Sequence, residues 1–210
     1  MEQLKVLLSQ GGVATYFILF SGFVLILLTF ERLGFLFFRF SFRSKEALNQ
    51  VRLAVLKRDY TKAVQICNSN ESAPELKVVK SGLLAVEHGR EAIKSALGGA
   101  LLEVSKKVEK RVPLIALIAA VSTLLGLLGT ISGLIKTFAA LATAEASQKG
   151  QLLGLGISEA MYATAAGLVV GIAAMVVHTL CTSKGDDIIG QTQSTAYNLI
   201  TWIEESERAQ

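Results

Sequence analysis

Charge is absent from three long stretches of this chain: Val13–Phe30, Val112–Ile135 and Ala160–Ser183, of 18, 24 and 24 residues. A helix needs roughly 20 residues at 1.5 Å each to cross about 30 Å of hydrocarbon. Buried helices of soluble proteins rarely run so far without a polar face, so the pattern predicts an all-α membrane protein with three transmembrane helices. Elsewhere the pattern is amphipathic. The run "SKEALNQVRLAVLKR" sets Ala47, Val51, Ala54 and Val55 on one helical face, and Asp59 is placed to cap a short helix reaching Cys67. "SAPE" reads as a capping box, with Ser72 as N-cap, Pro74 in the first turn and Glu75 at the third position. That helix should reach about Glu87, where "HGR" interrupts it. A longer helix from about Glu91 to Arg111 is expected to run straight into the second span, with Pro113 near the membrane surface. The tail beyond Lys184 also reads as helical, with Ile188, Ile189, Ala196, Leu199, Ile200 and Ile203 available for packing. Helices that leave the membrane in this way are expected to form one rigid body.

Composition agrees with a membrane protein and fixes its orientation. The chain is 51% hydrophobic and only 18% charged, against about 25% charged in soluble domains. Of 21 Lys and Arg residues, 15 lie between Arg39 and Arg111. Arg39, Arg43 and Lys45 follow the first span, and Lys106, Lys107, Lys110 and Arg111 precede the second. The segment joining the second and third spans carries only Lys136 and Lys149. By the positive-inside rule the basic segment is cytoplasmic, the N-terminus outside and the C-terminus inside. The expected order is an outer N-terminus (1–12), a first span (13–38), a cytoplasmic helical domain (39–111), a second span (112–141), an outer loop (142–151), a third span (152–183) and a cytoplasmic C-terminal helix (184–210). The first apolar run exceeds a signal-peptide core and lacks an A-x-A-like site, so it reads as a retained helix. Topology explains the net charge of +4 without a nucleic-acid partner. Cys67 and Cys181 share no close spacing with each other or with histidines, and read as ordinary thiols.

The spans carry a sparse but ordered chemistry. Thr123, Thr130 and Thr137 recur every seven residues, so they drift only about 20° per step and form one hydroxyl stripe. Gly126, Gly129 and Gly133 lie beside it. In the third span Ala160, Thr164, Gly167, Gly171, Ala174 and His178 fall within about 40° of one line. Small residues so spaced let helices approach closely in lipid, and the two stripes are open to two readings, tight packing or a surface bringing hydroxyls to water or another helix. Counted from the cytoplasmic charges Arg111 and Lys184, Thr130 and Thr164 both lie about 29 Å deep. Lys136 and Glu159 are level with each other, roughly 8 Å further out. They suit an ion pair, within or between chains. His178 reads first as a packing residue and second as a proton relay. Glu31 and Arg32 read as an anchor at the inner end of the first span, with the Phe-rich "FLFFRF" beyond. "GLIKT" lacks the glycine that a phosphate-binding loop places before its lysine, and there is no nucleophile–base set, no clustered metal ligands and no cofactor motif. Catalysis on a substrate is not expected.

"GLLGTISGLIKTF" followed by "GISEAMYATAAGLVVGIAAMVVH" resembles the ExbB/TolQ/MotA proton-channel family, closest to its three-span ExbB and TolQ branch. "FERL" and the "SKEAL…KRDYTKAVQICN" hairpin extend the likeness over nearly the whole chain. The resemblance implies a proton-channel, motor or stator subunit of the bacterial inner membrane, so that the outer side is the periplasm. It implies a ring of five copies around two helices of a partner of the ExbD/TolR type, whose single span carries an aspartate. Proton movement would be coupled to mechanical work at the cell envelope: TonB-dependent import, Tol–Pal-type constriction or gliding, through a TonB/TolA-like or motility protein. Carried onto this chain, the pore threonines are Thr130 and Thr164, and the acid of the third-span motif is Glu159, either a proton carrier at the outer mouth or the partner of Lys136. Lys136 departs from the family pattern. With no acid deep inside a span, the chain should not conduct alone. Two other classes stand beside this one: a structural membrane scaffold through which no ion moves, and a transporter of solutes or macromolecules.

Overall fold

The computed structural model describes residues 12–38, 44–69 and 73–208, which are helical almost throughout and contain no strand. In order, the helices are α1 (Gly12–Leu33, followed by a π-helical turn Gly34–Phe38), α2 (Ser44–Leu56), α3 (Tyr60–Ser69), α4 (Pro74–Leu84), α5 (Arg90–Glu109), α6 (Val112–Thr143) and α7 (Lys149–Arg208). Three helical stretches are long and apolar enough to cross a membrane: Ala14–Leu36, the stretch ending at Thr143, and Lys149–Arg208. Residue contacts divide the chain into two units, one of residues 1–31 with 111–180, the other of residues 32–110 with 181–210.

The first unit holds the apolar parts of α1, α6 and α7. Its outward surface is built of large hydrophobic side chains, including Phe17, Phe20, Phe23, Leu124, Ile135, Phe138, Val169 and Met175, all exposed. In water each such side chain would forfeit roughly 1.5–3 kcal/mol of burial, whereas lipid tails solvate it. The inside of this unit is rich in small and hydroxyl-bearing residues: Thr15, Ala119, Ser122, Ala160, Ala163 and Ala174 are buried, beside Ile18, Leu25 and Ile115. This inside-out pattern follows from lipid as solvent, where close backbone packing and hydrogen bonds replace hydrophobic burial. Ser21 of α1 and Ser122 of α6 share a hydrogen bond of 2.9 Å.

The second unit has a conventional apolar core. Ala47, Val51, Ala54 and Val55 of α2 are buried together with Ala63, Cys67, Leu76, Val79, Leu83, Ile93, Leu97 and Val108. The C-terminal part of α7 contributes Ile188, Ala196, Leu199 and Ile203. Asp59 caps α3, its Oδ1 accepting the Lys62 N–H at 3.0 Å. The N-cap of α4 is Ala73, with no side-chain cap bond and Pro74 in the first turn; Ser72, expected to supply that cap, lies outside the described residues. The helix ends at Leu84 and a short 3₁₀ turn, Val86–His88, leads to Gly89 at φ +87°, a left-sided conformation that glycine adopts freely. The Arg58 guanidinium donates from Nε and Nη2 to the Ser206 carbonyl at 3.1 and 2.9 Å, and Arg90 pairs with Glu204. A cation on the last carbonyls of a helix complements its dipole.

One expectation is corrected. The helix that begins near residue 90 does not continue unbroken into the second span: α5 stops at Glu109, Lys110 is extended at ψ 129°, and Arg111 takes the left-handed conformation at φ +66°. Pro113 has no N–H to donate to Glu109, so an unbroken helix would lose a rung there, and proline instead sits in the first turn of α6. By contrast, α7 is a single helix of 60 residues that runs without a break past Ser183, the expected inner boundary of the third span, and through the C-terminal segment.

Candidate functional site

The two small-residue stripes meet inside the first unit, between α6 and α7. A Cβ on Gly126 would lie 3.2 Å from the Thr164 Cα and 3.3 Å from the Gly167 Cα. On Gly167 it would stand 2.5 Å from the Ser122 carbonyl oxygen, and on Gly129 2.5 Å from the Ala163 Cβ. Gly133 faces Ala160 in the same way at 3.1 Å. Glycine is required here by close approach of backbone to backbone, the arrangement that small-xxx-small patterns permit in lipid.

These contacts set the register of the antiparallel pair. With Gly129 against Ala163 and Gly133 against Ala160, Thr130 and Thr164 stand within one to two residue rises of the same level, and Lys136 and Glu159 within two to three, about 3–4.5 Å. The four threonines are held differently. Thr123, at the exposed edge, donates to the Ala119 carbonyl at 3.0 Å, and its hydroxyl would lie 2.5 Å from a Cβ on Gly171. Half-buried Thr130 donates to Leu127 O at 2.6 Å. Thr137 is buried, donates to Gly133 O at 2.8 Å and leaves no room for a side chain on Gly156. Thr164, half-buried, is bonded across the interface, to the Gly126 carbonyl at 3.0 Å. Lys136 is exposed and Glu159 half-buried, and the two form no ion pair within the chain.

Toward Arg111, an open groove of about 620 Å³ lies between α6 and α7, walled by Ala116, Ala120, Leu124, Ile172 and Met175, with Thr123, His178 and Thr179 as polar members. His178 is half-buried there. At the inner end of α1, Glu31 pairs with Arg111, and the Arg32 guanidinium lies 5.5 Å above the Phe35 ring. Sequence reasoning treated Glu31 only as an anchor and passed over the Ser21–Ser122 bond. The signal was present in each case, since an isolated polar residue in an apolar helix commonly has a partner in a neighbouring helix.

The chain matches the family model of the MotA/TolQ/ExbB proton channel family over residues 70–194, more than half its length, covering all of α6 and most of α7. The chain belongs to that family. It is 36% identical over 91 residues to the biopolymer transport protein exbB1 of Vibrio cholerae, covering 43% of this chain and 40% of that one. It is 30% identical over 101 residues to the Tol-Pal system protein TolQ of Pseudomonas aeruginosa, covering 48% and 43%. A putative biopolymer transport protein ExbB-like 1 of Synechocystis is 31% identical over 183 residues, covering 83% of this chain and 68% of that one. The chain thus spans about two-fifths of the length of the Vibrio and Pseudomonas relatives it matches. No solved structure matches.

Proposed function

We propose that this membrane protein is the channel subunit of a proton-driven motor, with its N-terminus outside the bacterial inner membrane and its C-terminus in the cytoplasm. In this reading several copies, five by family likeness, ring two helices of an ExbD/TolR-like partner that brings a transmembrane aspartate. The observation that carries the reading is the family match across both spans that hold Thr130 and Thr164. The level placement of these threonines supports it. A carboxylate at such depth is costly in hydrocarbon, while its protonated form is nearly neutral and needs only hydrogen-bonding groups. Hydroxyls at that level supply such groups without adding a competing charge. Thr123 and Thr137 extend the same helix toward the two membrane surfaces.

The relatives' names point to two different tasks, biopolymer transport and the Tol-Pal system, and the process driven here is one of that kind, import, envelope constriction or gliding. Glu159 and Lys136, unpaired within a chain, are placed for a contact between neighbouring copies.

The test is proton flux into vesicles holding this chain and its single-span partner. Thr164→Val in this chain, or Asp→Asn in the partner, should abolish the flux. Flux unchanged by both substitutions would overturn the assignment, and flux of another solute through this chain alone would favour a transporter. Reversing Lys136 and Glu159 together should retain assembly that either reversal alone impairs.

A further inference from the structure

Threonine in a helix ordinarily turns its hydroxyl back to its own carbonyl three or four residues earlier. Thr123, Thr130, Thr137, Thr179 and Thr192 all do so. Thr164 departs from this habit. Its hydroxyl crosses to the Gly126 carbonyl of α6 at 3.0 Å, although its own helix offers the carbonyl of Ala160.

The acceptor is equally particular. Regular helix geometry brings the N–H of Thr130 to the Gly126 carbonyl as well. Yet the Thr130 hydroxyl turns to Leu127, not to Gly126, and leaves the carbonyl's second lone pair to Thr164. One oxygen therefore joins the backbone of one threonine to the side chain of the other. The bond exists because position 126 lacks a side chain, since a Cβ would press at 3.2–3.3 Å on the backbone at Ala163, Thr164 and Gly167.

This bond sets the polarity of the hydroxyl. A hydroxyl has one proton and two lone pairs, and here the proton is committed to Gly126. What remains for an arriving group is acceptor capacity alone. A protonated carboxyl can donate to it, whereas a carboxylate, which only accepts, gains nothing. Charged side chains are distant along the chain: Glu159 precedes Thr164 by five residues, Lys136 follows Gly126 by ten, and on α1 the first acid is Glu31.

We propose that Gly126 is a positioning residue for Thr164, its carbonyl holding the hydroxyl so that it receives an acid in its protonated form and not in its charged form. The inference rests on the proton-channel reading. Crowding position 126 with Gly126→Ala frees the hydroxyl to rotate and donate to a carboxylate, which favours the charged form and lowers the acid's pKa.

The experiment is the pH profile of proton flux in vesicles containing the chain with its partner. Gly126→Ala should move the midpoint to lower pH by about one unit, the size of a hydrogen bond gained by the charged form. Thr164→Ser should leave the midpoint in place. Gly129→Ala, which crowds the same interface against Ala163, should lower flux without moving the midpoint. An unmoved midpoint in Gly126→Ala, or an equal shift in Gly129→Ala, would overturn the proposal. Should Gly126→Ala fail to assemble, the ¹³C resonance of the Gly126 carbonyl decides: it should shift between the wild type and Thr164→Val, and a fixed resonance overturns the bond. Absence of flux from the unaltered complex would instead count against the channel reading itself.

Discussion

Ser21 and Ser122 face each other across α1 and α6 at 2.9 Å, and Ser122 is fully buried. Ser21 also donates to the Ile18 carbonyl at 2.7 Å, so Ser122 is the donor in the shared bond. Such interhelical bonds in membrane proteins are worth about 0.6 kcal/mol on average and rarely above 1.7. The Ser21→Ala, Ser122→Ala double-mutant cycle should therefore give a coupling near 0.6 kcal/mol in detergent unfolding. Coupling indistinguishable from zero would remove this bond from the account of how α1 is held.

Two glycines should respond differently to the same added methyl. A Cβ on Gly82 meets side-chain ends, Leu97 Cδ2 at 2.7 Å and Leu199 Cδ2 at 2.8 Å. On Gly167 it meets backbone, the Ser122 carbonyl oxygen at 2.5 Å and the Gly126 Cα at 2.9 Å. Alanine gains about 1 kcal/mol of helix propensity over glycine, against about 1–3 kcal/mol for overpacking. Leucine tips can rotate, so Gly82→Ala should lose about 1 kcal/mol or less, while Gly167→Ala should lose the upper end of that range. Equal losses in unfolding titrations would show that the backbone contact at Gly167 is as yielding as a leucine.

Glu75 is buried at the start of α4, and burial raises its pKa above 4.5, opposed by a hydrogen bond from its own backbone N–H. The native carboxyl therefore keeps its proton to a higher pH than the unfolded one does. Its stabilising contribution is complete below the unfolded pKa and is lost as pH rises through the raised native value. Glu75→Gln keeps an acceptor and discards the charge, so it should raise the melting temperature at pH 7 and flatten the fall above pH 4.5. A lower melting temperature at pH 7 would contradict this sign.

The Glu31–Arg111 pair is part exposed on both sides, which limits it to about 0–1 kcal/mol. Arg111 holds φ +66°, where glycine is unstrained and other residues pay roughly 1 kcal/mol. Arg111→Gly thus trades the ion pair for relief of strain, and thermal unfolding should find it near neutral. Glu31→Gln loses the pair with no relief and should be the more destabilising of the two.

The three spans were legible because lipid demands long uncharged runs, and no soluble core imitates them at this length. The apolar face of α2 and the cap at Asp59 followed from period and side-chain chemistry alone. The break at Lys110–Arg111 did not, because Pro113 marks either a helix's first turn or a kink of the sort membrane helices tolerate, and only Arg111's left-handed backbone decides. Lys184, Asp186 and Asp187 change which solvent a face meets, while Gly185 turns inward to Val108 and the helix continues. The level of Thr164 was countable from the sequence, but its choice of carbonyl was not. Periodicity locates a hydroxyl without saying which neighbour accepts its proton.

The two cysteines carry a practical consequence. Cys67 is buried, with its pKa pushed up to about 11 by burial despite the Lys80 ammonium nearby, and Cys181 has no exposed surface. A thiol that is neither ionised nor reachable does not react with maleimides. The native protein is thus silent to such reagents while folded, and a reporter cysteine placed at exposed Thr123 could be read for water access without altering either natural one.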